Sequence, residues 1–565
     1  MNEITGVILI YLLPILAAIP FGKYISKIYS GEKNLLDFMR PLENFLFRVS
    51  GIDPAKEMTW KQHLAALLTI NALWLVYAFV MLITQTLHFW NPDHNPSMSF
   101  HLAFNTAISF VVNCNLQDYS GETGASYLSQ TAVFTFLQFV SAATGMAAAV
   151  VIFNAFREKT TDKLGNFFVY FLKSITRILL PVSIIIAVVL VFKGVPQTFQ
   201  GKESIHTLQG NIMQVSRGPA ASMIAIKHLG TNGGGFFGAN SAHPFENPDY
   251  FTNIIEMFAQ MLIPFSMVFA LGFYIKRKKL SRIIFIIMTL GFLCLVIPTI
   301  IFEMKDNIVF SHLGINQHAG NMEGKEVRFG AAATGFWSII TTVISTGSVN
   351  GMHDSFTPLS GLMQMFAMMI NAFYGGCGVG ILNYFIFIII AAFISGLMVG
   401  RTPEFLGRKI ETREMQYSVF IVLLGPLIIL SGTAVAAYLF HIDPNGRSAW
   451  LNNPSFHGFS EMLYQYTSSF ANNGSGFEGL GDNTPFWNIT TGFAMLFGRY
   501  LPIIGPVAIA GYMAQKKFIP PAAGTLSTDT MTFGIMTFAV IIIVAALDYL
   551  PALALGPIAE FLSIH

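Results

Sequence analysis

The sequence predicts an all-α polytopic membrane protein of about ten transmembrane helices, with four pseudo-symmetric span–pore helix–filter loop–span repeats around a central pore. Three observations predict it. The 565 residues are 53% hydrophobic, include 53 Phe and carry only 11% charge, where soluble domains carry ~25% charged residues. Apolar runs long enough to cross a bilayer recur along the chain. Between them, four connections share one pattern: an apolar or hydroxyl-rich stretch, a small polar triplet and a polar tail. The net charge of +2 says nothing in favour of nucleic acid, and no such partner is expected. Three widely separated cysteines, Cys114, Cys294 and Cys377, are odd in number and do not make a disulfide framework.

The apolar runs fall near 4–22, 62–86, 131–155, 170–192, 252–275, 283–302, 361–400, 417–440, 486–515 and 531–552. The stretch 361–400 exceeds one simple span, and NAFYGGCGVG (Asn371 to Gly380) interrupts it. Glu3 stands where a signal peptide carries basic residues, and no small-residue cleavage site follows, so the first run is expected to stay as a span. Lysine and arginine set orientation, because inner loops retain them. With residue 1 outside, the inner connections hold 23 basic residues and the outer ones eight, with Arg499 inside a span. Both termini are therefore expected outside. The chain divides into a first span with a basic cytoplasmic loop (1–60), four pore repeats (61–156, 170–275, 283–400 and 417–515) and a last span (516–565).

The four outer connections hold LAFNTAISFVVNCNLQDYSGE (Leu102 to Glu122), HLGTNGGGFFGAN (His228 to Asn240), GFWSIITTVISTGSVNGMHDS (Gly335 to Ser355) and MLYQYTSSFANNGSGFEGLGD (Met462 to Asp482). Their triplets align as Val111-Val112-Asn113, Thr231-Asn232-Gly233, Ser345-Thr346-Gly347 and Asn472-Asn473-Gly474. This steady spacing implies one unit made four times. Three triplets end in glycine and the first in asparagine, among the few other residues enriched at positive φ. Non-helical backbone at membrane depth is tolerated only when buried in protein or lining a water-filled cavity. Four such loops about one axis present rings of carbonyl oxygens that can replace the hydration shell of a cation. Few charges lie near the triplets, which suits a monovalent ion better than a calcium-type carboxylate ring. Ordinary outer loops with turn glycines would explain one such connection; four in register argue against it.

Gly233, Gly235 and Gly238 fit Gly-x-Gly-x-x-Gly, but Phe236 and Phe237 replace small residues and no strand–helix–strand pattern surrounds them. A phosphate cradle is not expected. The chain has no Asp-Lys-Thr-Gly-Thr motif and no phosphate-binding loop, so ATP hydrolysis by those routes is not expected of it. A proton-coupled carrier keeps acids or histidines near the bilayer midplane, whereas Glu256 and Asp548 lie towards the ends of their spans. A polytopic enzyme needs a nucleophile or metal cluster, and none shows a recognisable spacing.

The stretches FNTAISFVVNCNLQDYSGETGASY, GTNGGGFFGANSAHPFENP, STGSVNGMHDSFTPLSG, SSFANNGSGFEGL and FGRYLPIIGPVAIAG carry a resemblance that covers essentially the whole chain. With them the sequence resembles the potassium-binding subunit family of Kdp-type potassium-transporting ATPases, in the superfamily that also holds the Trk and Ktr proteins. The resemblance implies a non-catalytic, channel-like subunit that takes K+ from outside through a carbonyl-lined filter. It also implies a prokaryotic cell membrane and three partners: a P-type ATPase catalytic subunit that uses the ATP, an accessory subunit and a small single-span subunit. No cofactor is implied in this chain. The twelve triplet residues become the filter, Gln117 its mouth and Arg499 a charge beneath it. The first loop departs from the family's Thr-Asn-Thr-Asn with Val112-Asn113-Cys114-Asn115, which removes a threonine hydroxyl and leaves the backbone carbonyls. A stand-alone potassium channel or ion-coupled transporter of the same architecture is the alternative reading.

Single residues carry competing readings. An intramembrane charge is functional by default, so Arg499 reads as a barrier to cation leak, against snorkelling or structural pairing in a long helix. Gly375, Gly376 and Gly378 read as a gate beneath the filter or as a packing kink. Gln117 reads as part of the ion path or as a loop hydrogen-bonding group. His243, Glu246, His353 and Asp354 flank the loops in no established ligand pattern and read as scaffold. Lys227 reads as paired or solvated, and Cys377 as a small buried hydrophobe.

Overall fold

Ten helices are long and apolar enough to cross a membrane among the residues described in the computed structural model, which are 3–564 apart from 306, 316, 399, 401 and 521–526. They are Glu3–Ser30, Trp60–Ile83, Ser129–Arg157, Phe167–Phe192, Tyr250–Tyr274, Lys278–Glu303, Val379–Met398, Thr412–Ile442, Pro485–Gln515 and Met531–Ile564. Capping residues fix several starts: Thr59 and Gln62 close a capping box before the second span, as do Asp249 and Thr252 before the fifth, each satisfying orphan backbone donors of the first turn. Two short antiparallel hairpins, Glu203–His206 with Ile212–Val215 and Glu404–Phe405 with Arg408–Lys409, are the only sheets among the described residues.

Four shorter helices lie between spans: Phe100–Val111, Ala220–Leu229, Gly330–Ile344 and Phe456–Ala471. Every residue of Ala220–Leu229 except Ser222 is buried. Each short helix is followed by non-helical backbone and then by a span that packs inside the molecule. The third span is 89% buried and the second only 22%, so the third lines the interior and the second turns a lipid-facing surface outward.

The 361–400 run resolves into a helix at Pro358–Ile370 and the span Val379–Met398. Asn371 (φ 42°), Tyr374 (φ 63°), Gly375 (φ 59°) and Gly378 (φ 82°) take left-handed backbone between them, which ends a right-handed helix. The basic segments are less loop-like than expected. Lys23 and Lys27 ride on the first helix, and Lys173 and Arg177 lie in the fourth. Arg177 is buried and grips Glu43 (2.7 and 2.5 Å) and Asp37 (2.8 Å), tying the first connection to the fourth span. Arg401, counted with the inner basic residues, lies outside the described residues.

Candidate ion filter

The four loops share one backbone signature. After its short helix, each places two residues at positive φ, separated by one: Thr231 (49°) and Gly233 (79°), Ser345 (61°) and Gly347 (84°), Asn472 (53°) and Gly474 (99°), and in the first repeat Asn113 (66°) and Asn115 (56°). The first loop is therefore equivalent at Asn113-Cys114-Asn115, two residues later than the triplet Val111-Val112-Asn113. Val111 is the last residue of its helix, and Val112 caps it with near-helical backbone. The valines sit there because the first helix is continued by an apolar turn. The polar residue that can bear left-handed backbone comes only after them.

Close approach confirms the register and closes the ring. A Cβ on Gly233 would strike the carbonyl oxygen of Thr346, one on Gly347 that of Asn473, and one on Gly474 that of Cys114. Each third position thus presses on the second-position carbonyl of the next loop, from second to third to fourth to first. The circuit is completed by Asn115, whose Nδ2 donates to the Gly233 carbonyl at 3.0 Å. Glycine is required at three corners for two reasons at once, its left-handed φ and the absent Cβ. Asparagine, able to take the same φ, replaces it at the fourth.

The polar side chains of the ring bond into the surrounding frame. Asn113 Nδ2 donates to the Thr231 carbonyl (2.7 Å), and Asn232 Nδ2 donates to Asn113 Oδ1 (2.5 Å) and to Ser141 Oγ (3.0 Å). Ser345 Oγ donates to the Ala471 carbonyl (2.7 Å), Asn472 Nδ2 to Met495 (3.0 Å) and Asn473 Nδ2 to Thr341 (2.8 Å). Thr231 Oγ1 accepts from the Cys377 N–H at 2.9 Å. Thr346 Oγ1 is buried without a hydrogen-bond partner among the described residues.

Gln117 brackets the Gly235 peptide of the second loop. Its Oε1 accepts the Gly235 N–H at 2.7 Å while its Nε2 donates to the Gly235 carbonyl at 3.2 Å. The second loop also folds over a buried ion pair: Lys227 Nζ meets Glu246 Oε2 (2.5 Å) and Asn240 Oδ1 (2.6 Å), and Glu246 Oε1 accepts the Phe237 N–H (2.9 Å). Lys227 is therefore paired. Phe236 and Phe237 are buried, the latter stacked on His243 at 4.1 Å. His353 Nδ1 bonds Tyr464 Oη at 2.8 Å.

A sequence model of the family described as "Potassium-transporting ATPase A subunit" matches residues 8–562. The chain belongs to that family. Curated relatives named "Potassium-transporting ATPase potassium-binding subunit" are 65% identical in Flavobacterium johnsoniae, 55% in Phocaeicola vulgatus and 47% in Alicyclobacillus acidocaldarius, each alignment covering 100% of both chains. The crystal structure of the potassium transporter TrkH from Vibrio parahaemolyticus has the same fold, with a TM-score of 0.51 at 13% identity over 89% of this chain and 98% of that one. The protein is a multi-pass member of this potassium-transporter family.

In this family member the region beneath the ring is set by three elements. Gln138 and Ser141 of the third span stand at ring level, since Ser141 Oγ donates to Asn113 Oδ1 at 2.8 Å. Gly145 lies four residues on, about 6 Å deeper along the helix. There a Cβ would strike the Cys377 carbonyl and come within 3.2 Å of Arg499. Gly378 in turn packs on the Gly145 carbonyl, and Gly376 lies against Thr231 Oγ1 and the Ile344 carbonyl. The break at 371–378 and Arg499 therefore lie together, one turn below the first loop. Arg499 is 5% exposed, donates to the Ser141 carbonyl at 2.9 Å, and has no ion pair among the described residues.

Sequence reasoning missed Cys114 and Asn115 as ring positions, and Gln138 and Ser141 as their support. The signal for the support was FLQFVS, polar residues inside a predicted span. It also missed Asp118 and Asp482, a carboxyl pair joining the first and fourth loops. Burial raises both, Asp482 to about 6, and the Asp482 charge raises Asp118 further.

Proposed function

We propose that this chain binds K+ in the ring of four loops and passes it inward, as the transport subunit of an ATP-driven uptake complex. The observation that carries this reading is the closed ring: third positions pressed on second-position carbonyls, with polar side chains engaged in the frame. Most of the oxygen this leaves for an ion is main-chain carbonyl, with Thr346 Oγ1 as a side-chain oxygen that has no partner among the described residues; carbonyl oxygen is the ligand that substitutes for the hydration shell of a monovalent cation. The filter assignment is then Asn113, Cys114 and Asn115 with Thr231, Asn232, Gly233, Ser345, Thr346, Gly347, Asn472, Asn473 and Gly474. Gln117 acts by fastening the first loop to the second at the mouth.

Below the ring, Arg499 holds a positive charge with no counter-ion among the described residues, which opposes a second cation and suppresses leak. The Gly375–Gly378 break supplies backbone that can move against Gly145. The lopsided distribution of basic residues between alternate connections supports both termini outside, with residues 61–156, 170–275, 283–400 and 417–515 as the four units. The names of the relatives support a subunit of a potassium-transporting ATPase; the reading adds, from the family resemblance, a P-type catalytic subunit that uses the ATP, an accessory subunit and a small single-span subunit.

Co-purification of the assembled complex followed by K+-stimulated ATP hydrolysis tests the reading. Stimulation by K+ that Gly233→Asp removes is the expected result. A chain that purifies alone and carries K+ across liposomes without ATP overturns it.

A further inference from the structure

On the loop side of the filter, away from the ion path, four acids gather round one imidazole. His457 and Glu461 stand four residues apart on the same face of the short helix Phe456–Ala471, the spacing that brings two side chains together. Asp354 reaches them from the segment after the third filter loop. Donor atoms of Asp354, His457 and Glu461 all lie within 4.8 Å of one another. His457 Nε2 faces Asp354 Oδ1 at 2.9 Å, and its Nδ1 faces Glu560 Oε1 of the last helix at 2.8 Å. Glu478 adds a fourth carboxylate, accepting the Asp354 N–H at 3.0 Å.

The four acids outnumber their one cationic partner, His457. Among the described residues, the only ion pairs made by these four acids are those with His457. Glu461 is fully buried, and its Oε2 has no hydrogen-bond partner among the described residues. An unpaired buried carboxylate oxygen is costly unless something cationic answers it. The backbone of Gly479 is packed so tightly beneath that a Cβ would run into both Glu461 and Asp354. A cavity of about 510 Å³ reaches Asp354, His457, Asn453 and Glu560 from the side, giving an entry path.

We propose that Asp354, His457 and Glu461 form a binding site for one divalent transition-metal ion of the zinc class, stapling the third loop to the fourth short helix. The donor set decides the class: imidazole selects zinc-like ions over calcium or magnesium, and three protein ligands leave a fourth position for water. Two carboxylates and a neutral imidazole balance the charge of the ion. Glu560 is the positioning residue. By accepting the Nδ1 proton it turns Nε2 towards the ion, as carboxylates do behind metal-bound histidines. The Nε2 proton now shared with Asp354 leaves as the ion enters.

The test is calorimetric titration of the chelator-stripped, untagged complex with ZnCl2 in two buffers of different ionisation enthalpy, so that proton release is read alongside binding. One zinc site per chain is expected, with proton release. His457→Gln and Glu461→Gln should each weaken it ~10-fold or more, and Glu560→Gln about tenfold, in the range of outer-partner mutations. K+-stimulated ATP hydrolysis, read on the same preparations, should persist and report that the variants are folded. The proposal is overturned if no saturable zinc site is present, or if zinc binds as tightly to folded His457→Gln and Glu461→Gln complexes as to the unaltered one.

Discussion

The third and seventh spans occupy the same place in their repeats, each following a loop of the ring into the interior, yet they treat the ring differently. The third runs unbroken from Ser129 to Arg157 and supports the ring with side chains, Ser141 on Asn113 and Gln138 Nε2 on the Gly233 carbonyl at 3.4 Å. The seventh is interrupted at 371–378 and supports it with backbone, the Cys377 N–H on Thr231. The two meet where Gly145 and Gly378 pack on each other. A continuous helix cannot move there without sliding as a whole, whereas a loop of left-handed residues can change by a few dihedrals. In the proposed reading, one side of the pore is thus a wall, and the other the segment that opens or closes it.

Changes to the ring itself should override this distinction and give the largest effect. Gly474→Ala forces a Cβ onto the Cys114 carbonyl at φ 99°, where left-handed backbone alone costs ~1–2 kcal/mol. K+-stimulated ATP hydrolysis is expected to be lost, or its half-activating K+ raised at least ~10-fold; unaltered stimulation would remove Gly474 from the filter. Next comes Arg499→Ala, which should leave the complex assembled but let K+ leak passively into liposomes and raise ATP hydrolysed per ion. Unchanged stoichiometry in flux assays would make Arg499 a structural residue.

The wall and the mobile segment separate directly in a third experiment. Gly378→Ala must bear both a positive φ and the Gly145 contact, whereas Gly145→Ala bears only the contact. The Gly378 variant should lose more of its Rb+ uptake rate. The double variant should be non-additive by about 0.5–3 kcal/mol in coupling, as for residues in contact. Equal single effects that simply add would dissolve the distinction.

Gln117→Leu removes two hydrogen bonds to Gly235, worth about 1–2 kcal/mol together, and should shift the apparent K+ affinity about threefold to tenfold without loss of maximal rate. Smallest is a pH effect at the mouth. Asp118 and Asp482 are acids whose folded pKa is raised, mainly by burial, Asp482 to about 6. Their contribution to stability is full below the unfolded value of about 4 and is lost as pH rises through about 6. Above that pH the mouth carries more negative charge, so apparent K+ affinity should be modestly higher at neutral pH than in acid. Asp118→Asn with Asp482→Asn should flatten the profile between those limits.

Much of this was legible in the residues. Composition and run length give the ten spans because the bilayer demands long apolar helices whatever their packing. NAFYGGCGVG showed its break through glycine. Three of the four left-handed loop turns were readable because glycine at the third position marks both the φ and the close approach. The first was misplaced by two residues, since Asn113 and Asn115 can both bear left-handed backbone and the sequence does not say which one ends the turn. That choice depends on Cys114 meeting Gly474, more than three hundred residues away. The neighbours Ser141 and Arg499, and Asp354 with His457, are likewise brought together only by the fold.

The central claim is that main-chain oxygens of the four loops, in the register that starts at Asn113, hold the bare ion. Anomalous diffraction from crystals of the complex grown in Rb+ tests it most directly. The account predicts Rb+ peaks on the axis ringed by residues 113–115, 231–233, 345–347 and 472–474. Peaks at the level of Val111 and Val112, or only on the far side of Arg499 from the ring, would contradict it.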